Sequence, residues 1–556
     1  MTTPAGRARA GQTLAGAALL ITVVTLASRV VGFGRWLAQA QFLGTGGVDA
    51  PFNSANLLPN VLFEVAAGGA LAGAVVPLLS GYLLRGDSER ASRTASALLG
   101  WTLAVLVPVG GLMALLAGPI SELLRLDDPV NTAVAADFLR VFALQIPLYG
   151  LAVVLGGILQ AHKRFFWPAF APLVSSLVVI GVYAVFGELA EGNQQDVAAL
   201  TSEALGWLAW GTTAGVAFLA LPLLVPVHRT GLRLRLTLRF PDGEGRRAAR
   251  LAFAGVGALV AQQLSVLAVM AAANEAGDAA TFTVYLYAQQ VYFLPYAVLA
   301  FPIATSAFPR FSEHAAAERW DDLRGLVSST TRLLLVTVGA GAAALVAAAP
   351  LVQNVFDLVA VGDAAGMAQA LTWMAPGLLG YALVLQLSRV LYALDAGRAA
   401  VVATAAGWLV VALGAGATVL AFPLAATAEM RPAVLSWLGG ATTVGMTVAG
   451  AGLLLAVGSR LGRTALSGVF RTLAVVVVAG AGGAALGRAV VPVADRAAAT
   501  GTDGASAETV FTAGAFAADV GLGLGAGLIA AAVVVALVCL TDPPVRRRLG
   551  ALVRRV

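Results

Sequence analysis

Fourteen long apolar stretches dominate the sequence, and they constrain its fold more than any other feature. Crossing a hydrocarbon core of about 30 Å takes about 20 apolar residues in an α-helix, and every stretch is at least that long. Membrane β-strands would instead alternate polar and apolar residues, which these stretches do not. The pattern predicts an all-α polytopic membrane protein with about fourteen transmembrane helices. Their approximate limits are 13–43, 51–84, 95–117, 132–161, 165–187, 203–227, 249–273, 280–309, 326–350, 366–394, 399–423, 433–457, 468–492 and 516–540.

The composition agrees with lipid as the main solvent of the chain. Hydrophobic residues make up 59% of the 556 and charged residues only 12%, against about 25% charged residues in soluble domains. The first apolar stretch is too long for a cleaved signal peptide, and more apolar sequence follows it. Cys539 is the only cysteine, so no disulfide can form within the chain, and we interpret it as a small apolar residue of the last helix.

Basic residues are unevenly distributed between the loops. If the N-terminus is cytoplasmic and the spans alternate in direction, 27 of the 35 lysines and arginines fall in cytoplasmic segments and four in outer loops. Such a bias is typical of loops that stay in the cytoplasm. We therefore expect a multi-pass protein of the plasma membrane with both termini in the cytoplasm. The basic runs lack interleaved aromatic residues, so we do not expect nucleic-acid binding.

The two halves of the chain resemble each other at an offset of 232 residues. Pro77 and Pro309 close spans at equivalent positions, and so do Leu159 and Leu391, each with an alanine two residues later. Six spans per half give both repeats the same orientation, as in transporters whose two lobes rock about a central site. The predicted organisation is an N-terminal lobe (1–228), a basic cytoplasmic linker (229–248), a C-terminal lobe (249–458), and two further spans with a short basic tail (459–556).

Motifs of soluble catalysis and metal binding are missing from the sequence. Lys163 is the only lysine and is followed by arginine, so there is no P-loop for phosphate binding. The three histidines, His162, His228 and His314, lie far apart, whereas zinc sites need clustered ligands. We expect a protein that is not an enzyme and that has neither a metal site nor a cofactor.

Several charged residues lie inside predicted spans, where ionisable side chains are costly and usually face a cavity. They are Arg29 and Arg35 in the first span, Glu64 in the second, Arg140 in the fourth and Arg389 in the tenth. The alternative is that the arginines extend along the helix to reach an interface. Arg29 lies about 16 residues from the predicted cytoplasmic end of its span, so it is the hardest of them to explain in this way.

Small residues and prolines indicate where the helices could bend. Six residues separate Arg29 from Arg35, which is about 9 Å along a helix and about 120° around it. Gly32 and Gly34 lie between them and would permit a hinge. Pro59 and Pro295 interrupt long apolar stretches, and each removes a backbone hydrogen bond and favours a kink.

The first span carries a recognisable motif. Residues 28–35, Ser-Arg-Val-Val-Gly-Phe-Gly-Arg, resemble the opening motif of the MurJ/MviN family of lipid II flippases. Further segments are similar to the family pattern in the same order, over roughly residues 13–460. These segments are Asp49 before the second span, Leu58-Pro59-Asn60, Val75-Val76-Pro77, residues 157–165 and 168–172, Tyr287-Ala288, Pro295, residues 308–312 and residues 389–394.

The resemblance implies two six-helix lobes plus two C-terminal helices, in the multidrug/oligosaccharidyl-lipid/polysaccharide exporter superfamily. It implies transfer of an undecaprenyl-pyrophosphate-linked cell-wall precursor from the inner to the outer leaflet, through a cationic central cavity. Arginine suits such a cavity because it binds phosphate in a bidentate manner and stays charged. The residues expected to bind substrate or gate the cavity are Arg29, Arg35, Asp49, Asn60, Glu64, Gln290 and Arg389, with Arg29 and Asp49 acting as a pair near its mouth.

The sequence departs from the family pattern at two places. Phe63 and Glu64 stand where the family carries an arginine after Leu-Pro-Asn, and Gln290 stands where its eighth helix often carries another. Two cavity cations are lost and an acid is gained, which leaves two alternatives open. One is a small-molecule exporter coupled to protons or cations, and the other is a scaffold of cell-wall assembly that does not transport.

The expected partners follow from the flippase interpretation. They are a lipid-linked pyrophosphate substrate, membrane lipids and proteins of cell-wall synthesis. We expect a monomer that needs no cofactor. We expect its transport to be coupled to the membrane potential or to a monovalent ion.

Overall fold

The structure is a computed structural model that describes residues 4–241, 245, 256–422, 427–490, 513–542, 544 and 546. Throughout these residues the regular elements are helices, and none of them is a strand. The contacts divide the chain into two compact units, Met1–Val256 and Gly257–Val556. The predicted all-α fold is therefore confirmed.

The described part of unit 1 contains ten α-helices and a short π-helical segment, Glu64–Gly68, between the second and third of them. Short 3-10 helices lie at Val197–Ala199 and Leu221–Leu223. The helices are α1 (Pro4–Phe42), α2 (Asp49–Phe63), α3 (Gly69–Leu84), α4 (Ser88–Leu115), α5 (Ala117–Leu123), α6 (Pro129–Phe142), α7 (Gln145–Ala161), α8 (Phe166–Leu189), α9 (Ser202–Ala220) and α10 (Leu224–His228).

The described part of unit 2 likewise has a π-helical segment, Tyr296–Ala300, directly after its second helix. Short 3-10 helices lie at Ala428–Met430 and Arg463–Leu466. Its α-helices are α11 (Val256–Ala276), α12 (Thr281–Pro295), α13 (Phe301–Ala316), α14 (Trp320–Val359), α15 (Met367–Met374), α16 (Gly377–Ala393), α17 (Gly397–Ala421), α18 (Arg431–Leu461), α19 (Val469–Val490) and α20 (Ala513–Thr541).

Eleven helices among the described residues are long and apolar enough to cross a membrane. A twelfth is added if α15 and α16, which are bent by 48° at their junction, form one span. The predicted number of fourteen is not confirmed, because this count does not include the first two predicted spans, which lie on α1 and on Asp49–Leu84. The chain is nonetheless a multi-pass membrane protein, because its many long apolar helices satisfy their own backbone hydrogen bonds and are therefore stable in lipid.

Side-chain caps begin several of the helices. The Asp87 carboxylate accepts a hydrogen bond from the backbone N–H of Arg90 (3.0 Å) at the start of α4. Asp128 does the same for Val130 (3.0 Å) before α6, whose first residue is a proline. Such caps satisfy N–H groups that have no partner within the helix. They occur where the apolar stretches give way to polar residues.

The internal repeat is confirmed by the positions of the elements. The two π-helical segments begin at Glu64 and Tyr296, which are 232 residues apart. The same offset relates the limits of α7 to those of α16. It also relates two tight turns, because Lys163 and Asp395 have φ values of 60° and 52°. The two units thus share a helical plan that few residue identities reveal.

Each unit has its own packed core. In unit 1, the Phe52 ring meets those of Phe138, Phe142 and Tyr183 edge to face, at centroid distances of 5.8, 5.8 and 6.0 Å. In unit 2, aliphatic side chains of α14, α19 and α20 form one cluster, and those of α13, α14, α16 and α18 form another. An ion pair between Arg332 of α14 and Asp542 fixes the end of α20, because the same carboxylate accepts from Thr472 of α19 (2.8 Å).

Candidate functional site

Arg35 lines a small cavity inside unit 1, together with polar and apolar side chains. The cavity has a volume of about 200 Å³, and Asn56, Tyr149 and Thr212 also line it. Asn56 Oδ1 and Thr212 Oγ1 are buried and have no hydrogen-bond partner among the described residues. The ion pairs of the described residues of unit 1 do not include Arg35, whose guanidinium instead lies 5.2 Å from the Trp36 ring centroid. A cation beside open hydrogen-bonding groups suits a small anionic group or ordered water.

A buried amide connects three helices next to this cavity. Gln39, one turn after Arg35 on α1, donates to Asn53 Oδ1 of α2 (2.8 Å). The Tyr183 hydroxyl of α8 donates to Gln39 Oε1 (3.4 Å). The three side chains are almost completely buried. This network fixes the rotation of α1, and with it the direction in which Arg35 points.

Asp49 is placed differently from what the sequence predicts. It is fully buried at the first position of α2, and its carboxylate accepts a hydrogen bond from the Gly47 backbone N–H (2.7 Å). The same turn is held to the loop after α8 by Val48, whose N–H donates to the Gln194 carbonyl (2.9 Å). Asp49 therefore stabilises a turn in this conformation.

Arg29 lies exposed on α1, thirteen residues before its end at Phe42. That separation is about 20 Å along the helix, so Arg29 is far from the turn that holds Asp49. The structure does not bring the predicted pair together. The helix runs unbroken through Gly32 and Gly34, and a Cβ added at either would meet nothing within 4 Å, so close packing does not require these glycines.

Asn60 and Glu64 lie on one side of the second span, four residues apart. Asn60 is exposed and Glu64 is half-buried at the first position of the π-helical segment. Pro59 is buried within α2, five residues before that segment. Phe63 points into the unit and packs on Tyr149, with ring centroids 5.7 Å apart. The position next to Glu64 is therefore part of the core.

Arg389 of α16 is held by three side chains of α13 in unit 2. Its Nη1 donates to Thr305 Oγ1 (3.0 Å), and its guanidinium lies 5.7 and 6.0 Å from the ring centroids of Phe301 and Phe308. The ion pairs of the described residues leave it without a carboxylate partner. Aromatic faces attract a guanidinium without neutralising it, so Arg389 remains available to an anion.

An aromatic cluster lies near the π-helical segment of unit 2. Tyr381 of α16 contacts Tyr296 (4.6 Å between ring centroids), Phe293 (5.6 Å) and Trp408 (6.2 Å). Pro295 is the last residue of α12 and directly precedes the π-helical segment, while Gln290 is half-buried on the same helix. The predicted residues Gln290, Pro295 and Arg389 thus belong to neighbouring helices of one unit.

Sequence reasoning missed the neutral residues around the two arginines. Asn56, Thr212, Gln39 and Thr305 are uncharged, and single polar residues in apolar stretches attract little attention. Buried amides such as Gln39 were the available signal, because a polar group inside a membrane protein needs a partner. We call the residues that line the Arg35 cavity the Arg35 site, and Arg389 with Thr305, Phe301 and Phe308 the Arg389 site.

Comparisons with known proteins agree with this arrangement. The model of the family described as lipid II flippase MurJ matches residues 39–491. A probable lipid II flippase MurJ from Rhizobium meliloti (strain 1021) is 28% identical over 344 residues, which cover 60% of this chain and 61% of that protein. The lipid II flippase MurJ of Burkholderia cenocepacia is 29% identical over 394 residues, covering 68% of this chain and 73% of that protein.

Solved structures share the fold. The inward closed conformation of lipid II flippase MurJ superposes with a TM-score of 0.65 at 15% identity and covers 93% of this chain and 98% of that one. An inward-facing multidrug resistance transporter of the MATE family gives a TM-score of 0.63 at 15% identity, covering 80% and 98%. At this identity the likeness concerns the fold alone.

Proposed function

Because this chain belongs to the lipid II flippase MurJ family, we propose that it moves a polyprenyl-pyrophosphate-linked peptidoglycan precursor from the inner to the outer leaflet of the plasma membrane. The match of the family model to residues 39–491 carries the proposal. It spans both units, including all the residues predicted from the sequence except Arg29 and Arg35 with their glycines. The chain covers only 61% of the length of the Rhizobium meliloti relative. The substrate is therefore proposed here and is not taken over from that protein.

The Arg35 site and the Arg389 site support an anionic cargo. Each contains an arginine that is not neutralised by a carboxylate among the described residues, and Arg389 is held in a fixed orientation. A pyrophosphate that leaves water needs compensating cations, since an unpaired charge in a poor dielectric costs several kcal/mol. We propose that these arginines, with the exposed Arg29, meet the pyrophosphate in successive conformations while the lipid tail stays in the bilayer.

Transport would proceed by alternating access of the two six-helix lobes, with both termini in the cytoplasm. The π-helical segments at equivalent positions of the two units support this proposal, because such segments interrupt regular α-helical hydrogen bonding and often mark functional sites. Pro59 and Pro295 lie on the helices that lead into them. The membrane potential or a monovalent ion would supply the driving force.

The decisive experiment follows the precursor itself. A bacterial strain whose own flippase can be depleted would express this chain or an empty vector, and an impermeant enzyme added outside would cleave any precursor in the outer leaflet. We expect cleavage to continue after depletion only when the chain is present. Accumulation of uncleaved precursor despite normal amounts of inserted protein would contradict the proposal.

A small-molecule exporter is the second candidate, and Glu64 favours it. This acid is half-buried in a span, and the MATE fold is nearly as similar as that of the flippase. A coupling acid must titrate, so Glu64→Gln should abolish an exporter but be tolerated by a flippase that relies on arginines. The exporter interpretation would gain if expression protected cells from cationic drugs and Glu64→Gln removed that protection.

A further inference from the structure

An extended segment with alternating leucine and arginine runs along one helix of unit 1. Residues 232–240 read Leu-Arg-Leu-Arg-Leu-Thr-Leu-Arg-Phe and form no helix. In extended backbone, successive side chains point to opposite faces. The leucines therefore share one face and the arginines the other. We call residues 232–240 the strap.

The strap is fixed to α4 by hydrogen bonds to its backbone. The N–H groups of Arg233 and Arg235 donate to Ser92 Oγ (3.2 Å) and Ser96 Oγ (3.0 Å). The Trp101 indole N–H donates to the carbonyl of Leu238 (2.9 Å). These bonds hold the strap nearly parallel to α4 over Ser92–Trp101, which is about 14 Å of helix.

A glycine makes this close approach feasible. A Cβ at Gly100 would lie 2.1 Å from the Thr237 carbonyl oxygen, so only glycine allows the strap to lie at this distance. The strap is consequently a packed element of unit 1.

Two leucines of the strap are left uncovered by protein. Leu232 is buried, but Leu236 is 70% exposed and Leu238 is 51% exposed. Trp101, next to Leu238, is also about half exposed. Adjacent apolar side chains beside a membrane-spanning helix require an apolar cover, and indole rings are enriched at the membrane interface.

The sequence of α4 indicates how deep the strap reaches. Its first turns contain Glu89, Arg90 and Arg93, and its apolar part begins at Ala95. Arg233 and Arg235 lie beside Ser92 and Ser96, at the polar start of the span. Leu238 lies beside Trp101, within its apolar part. The strap therefore passes from the level of headgroups to the level where acyl chains begin.

We propose that the strap is a binding surface for anionic phospholipids. Arg233, Arg235 and Arg239 would bind headgroup phosphates, and Leu236 and Leu238 would insert between acyl chains. All three arginines are exposed, and residues 229–240 contain no acid, so the surface complements a negative headgroup layer. Each basic residue near such a layer strengthens association about fivefold. The proposal is independent of the cargo that the protein carries.

A bimane fluorophore at position 236 tests the proposal. Cys539→Ser removes the natural thiol, Leu236→Cys carries the label, and the full-length protein is placed in nanodiscs of phosphatidylcholine and phosphatidylglycerol. Bromine on the acyl chains of one lipid or the other then reports which lipid quenches the label. We expect brominated phosphatidylglycerol to quench several-fold more strongly, mole for mole. Replacing the three arginines together by glutamine should abolish the preference, and replacing them by lysine should largely keep it.

Matched controls separate the strap from general effects. Leu115→Cys, exposed at the opposite end of α4, should show no lipid preference. Arg90→Gln with Arg93→Gln removes two charges that already pair with Asp87 and Glu89, and it should leave quenching at position 236 unchanged.

Three results would overturn the proposal. Equal quenching by both lipids would show that headgroups are not selected. Loss of the preference on adding inorganic phosphate at constant ionic strength would indicate a site for free phosphate. A label that neither lipid quenches would show that protein covers the strap, and the lysine variant would distinguish any of these results from misfolding.

Discussion

At the scale of single residues, Arg389 is the charge whose surroundings are best defined. Its guanidinium lies against two aromatic rings and donates to one hydroxyl, so its plane and direction are set before any substrate arrives. A lysine at this position would keep the charge but lose the planar stacking and the bidentate geometry. The two residue types therefore test whether charge or geometry matters.

We expect Arg389→Met to abolish precursor transport and Arg389→Lys to retain only part of it. The physical reason is that two charge-assisted hydrogen bonds to a phosphate become one. Transport is measured as outer-leaflet precursor, as above, with the amount of inserted protein determined in parallel. Arg398→Gln, an exposed charge at the start of the neighbouring helix, is the control and should be neutral. Full activity of Arg389→Met would exclude a role in cargo binding.

The two departures from the family pattern are not equivalent. Phe63 is buried against Tyr149, so Phe63→Arg would place a charge in the core of unit 1 and should reduce the amount of stably inserted protein. Gln290 is half-exposed, so Gln290→Arg should insert normally and leave transport intact or increase affinity for the precursor. Membrane-fraction blots and precursor binding check the two variants. Normal insertion of Phe63→Arg would contradict the packing argument.

The sequence predicts the arginines of the site better than their surroundings. Arg35 and Arg389 stand out because charge is rare in apolar stretches, but nothing in the pattern assigns Asn56 or Thr305 to them. For Asp49, the sequence singles out the residue itself but not the group that it contacts. Its position before a span suggests a partner for Arg29, whereas the structure uses its carboxylate to hold a turn. Which of several nearby groups an acid contacts depends on the loop conformation, and hydropathy contains no information about that.

At the scale of elements, the sequence predicts the spans better than it predicts where each span is interrupted. Pro59 lies five residues before one π-helical segment and Pro295 directly before the other, although the segments themselves are 232 residues apart. The prolines therefore do not fix the position of the interruption. The equivalent segments indicate that the shape of the second helix in each unit is retained where its sequence is not.

A buried arginine connects three elements of unit 2. Arg431, 5% exposed at the start of α18, donates to Asp278 (2.8 and 3.0 Å from Nε) and is also paired with Asp363. Arg431→Met would remove the cation that pairs with Asp278. We expect the free energy of unfolding to fall by about 3 kcal/mol, which is measured as a lower midpoint of thermal unfolding in detergent. Adding Asp278→Asn should recover part of the loss.

Arg93 is the matched control for Arg431. It pairs with Glu89 at the polar start of α4, where both side chains are more than half exposed. Exposed pairs contribute about 0–1 kcal/mol, so Arg93→Met should hardly move the midpoint. Equal effects of the two substitutions would mean that burial of the Arg431 network does not determine its contribution.

The strap depends on one glycine of α4. Gly100→Ala should displace the strap, because the added Cβ would overlap the Thr237 carbonyl, and trypsin should then cleave faster after Arg233, Arg235 and Arg239. Gly111→Ala on the same helix meets nothing within 4 Å and serves as the control. Unchanged cleavage of Gly100→Ala would show that the strap does not need this contact.

At the scale of the whole molecule, hydropathy located the helices closely and their interruptions poorly. Predicted span 399–423 became α17, Gly397–Ala421. Predicted span 366–394 became two helices bent by 48°, and 132–161 is interrupted between α6 and α7. Burial in lipid requires apolar side chains over a certain length, but it does not require the helix to be straight. Length and composition therefore determine where a span lies, and local packing determines where it bends.

Orientation in the membrane remains a prediction of the charge distribution, and four exposed positions test it. In a Cys539→Ser background, single cysteines at Glu122 and Glu203 should react with an impermeant thiol reagent in intact cells, because both lie at the ends with few basic residues. Cysteines at Glu89 and Arg398 should react only after the cells are opened. All four side chains are exposed on helices, so failure to react reports the side of the membrane and not burial. Labelling of Glu89 in intact cells would reverse the assignment, and the strap, which lies beside the start of the same helix, would then face the outer leaflet.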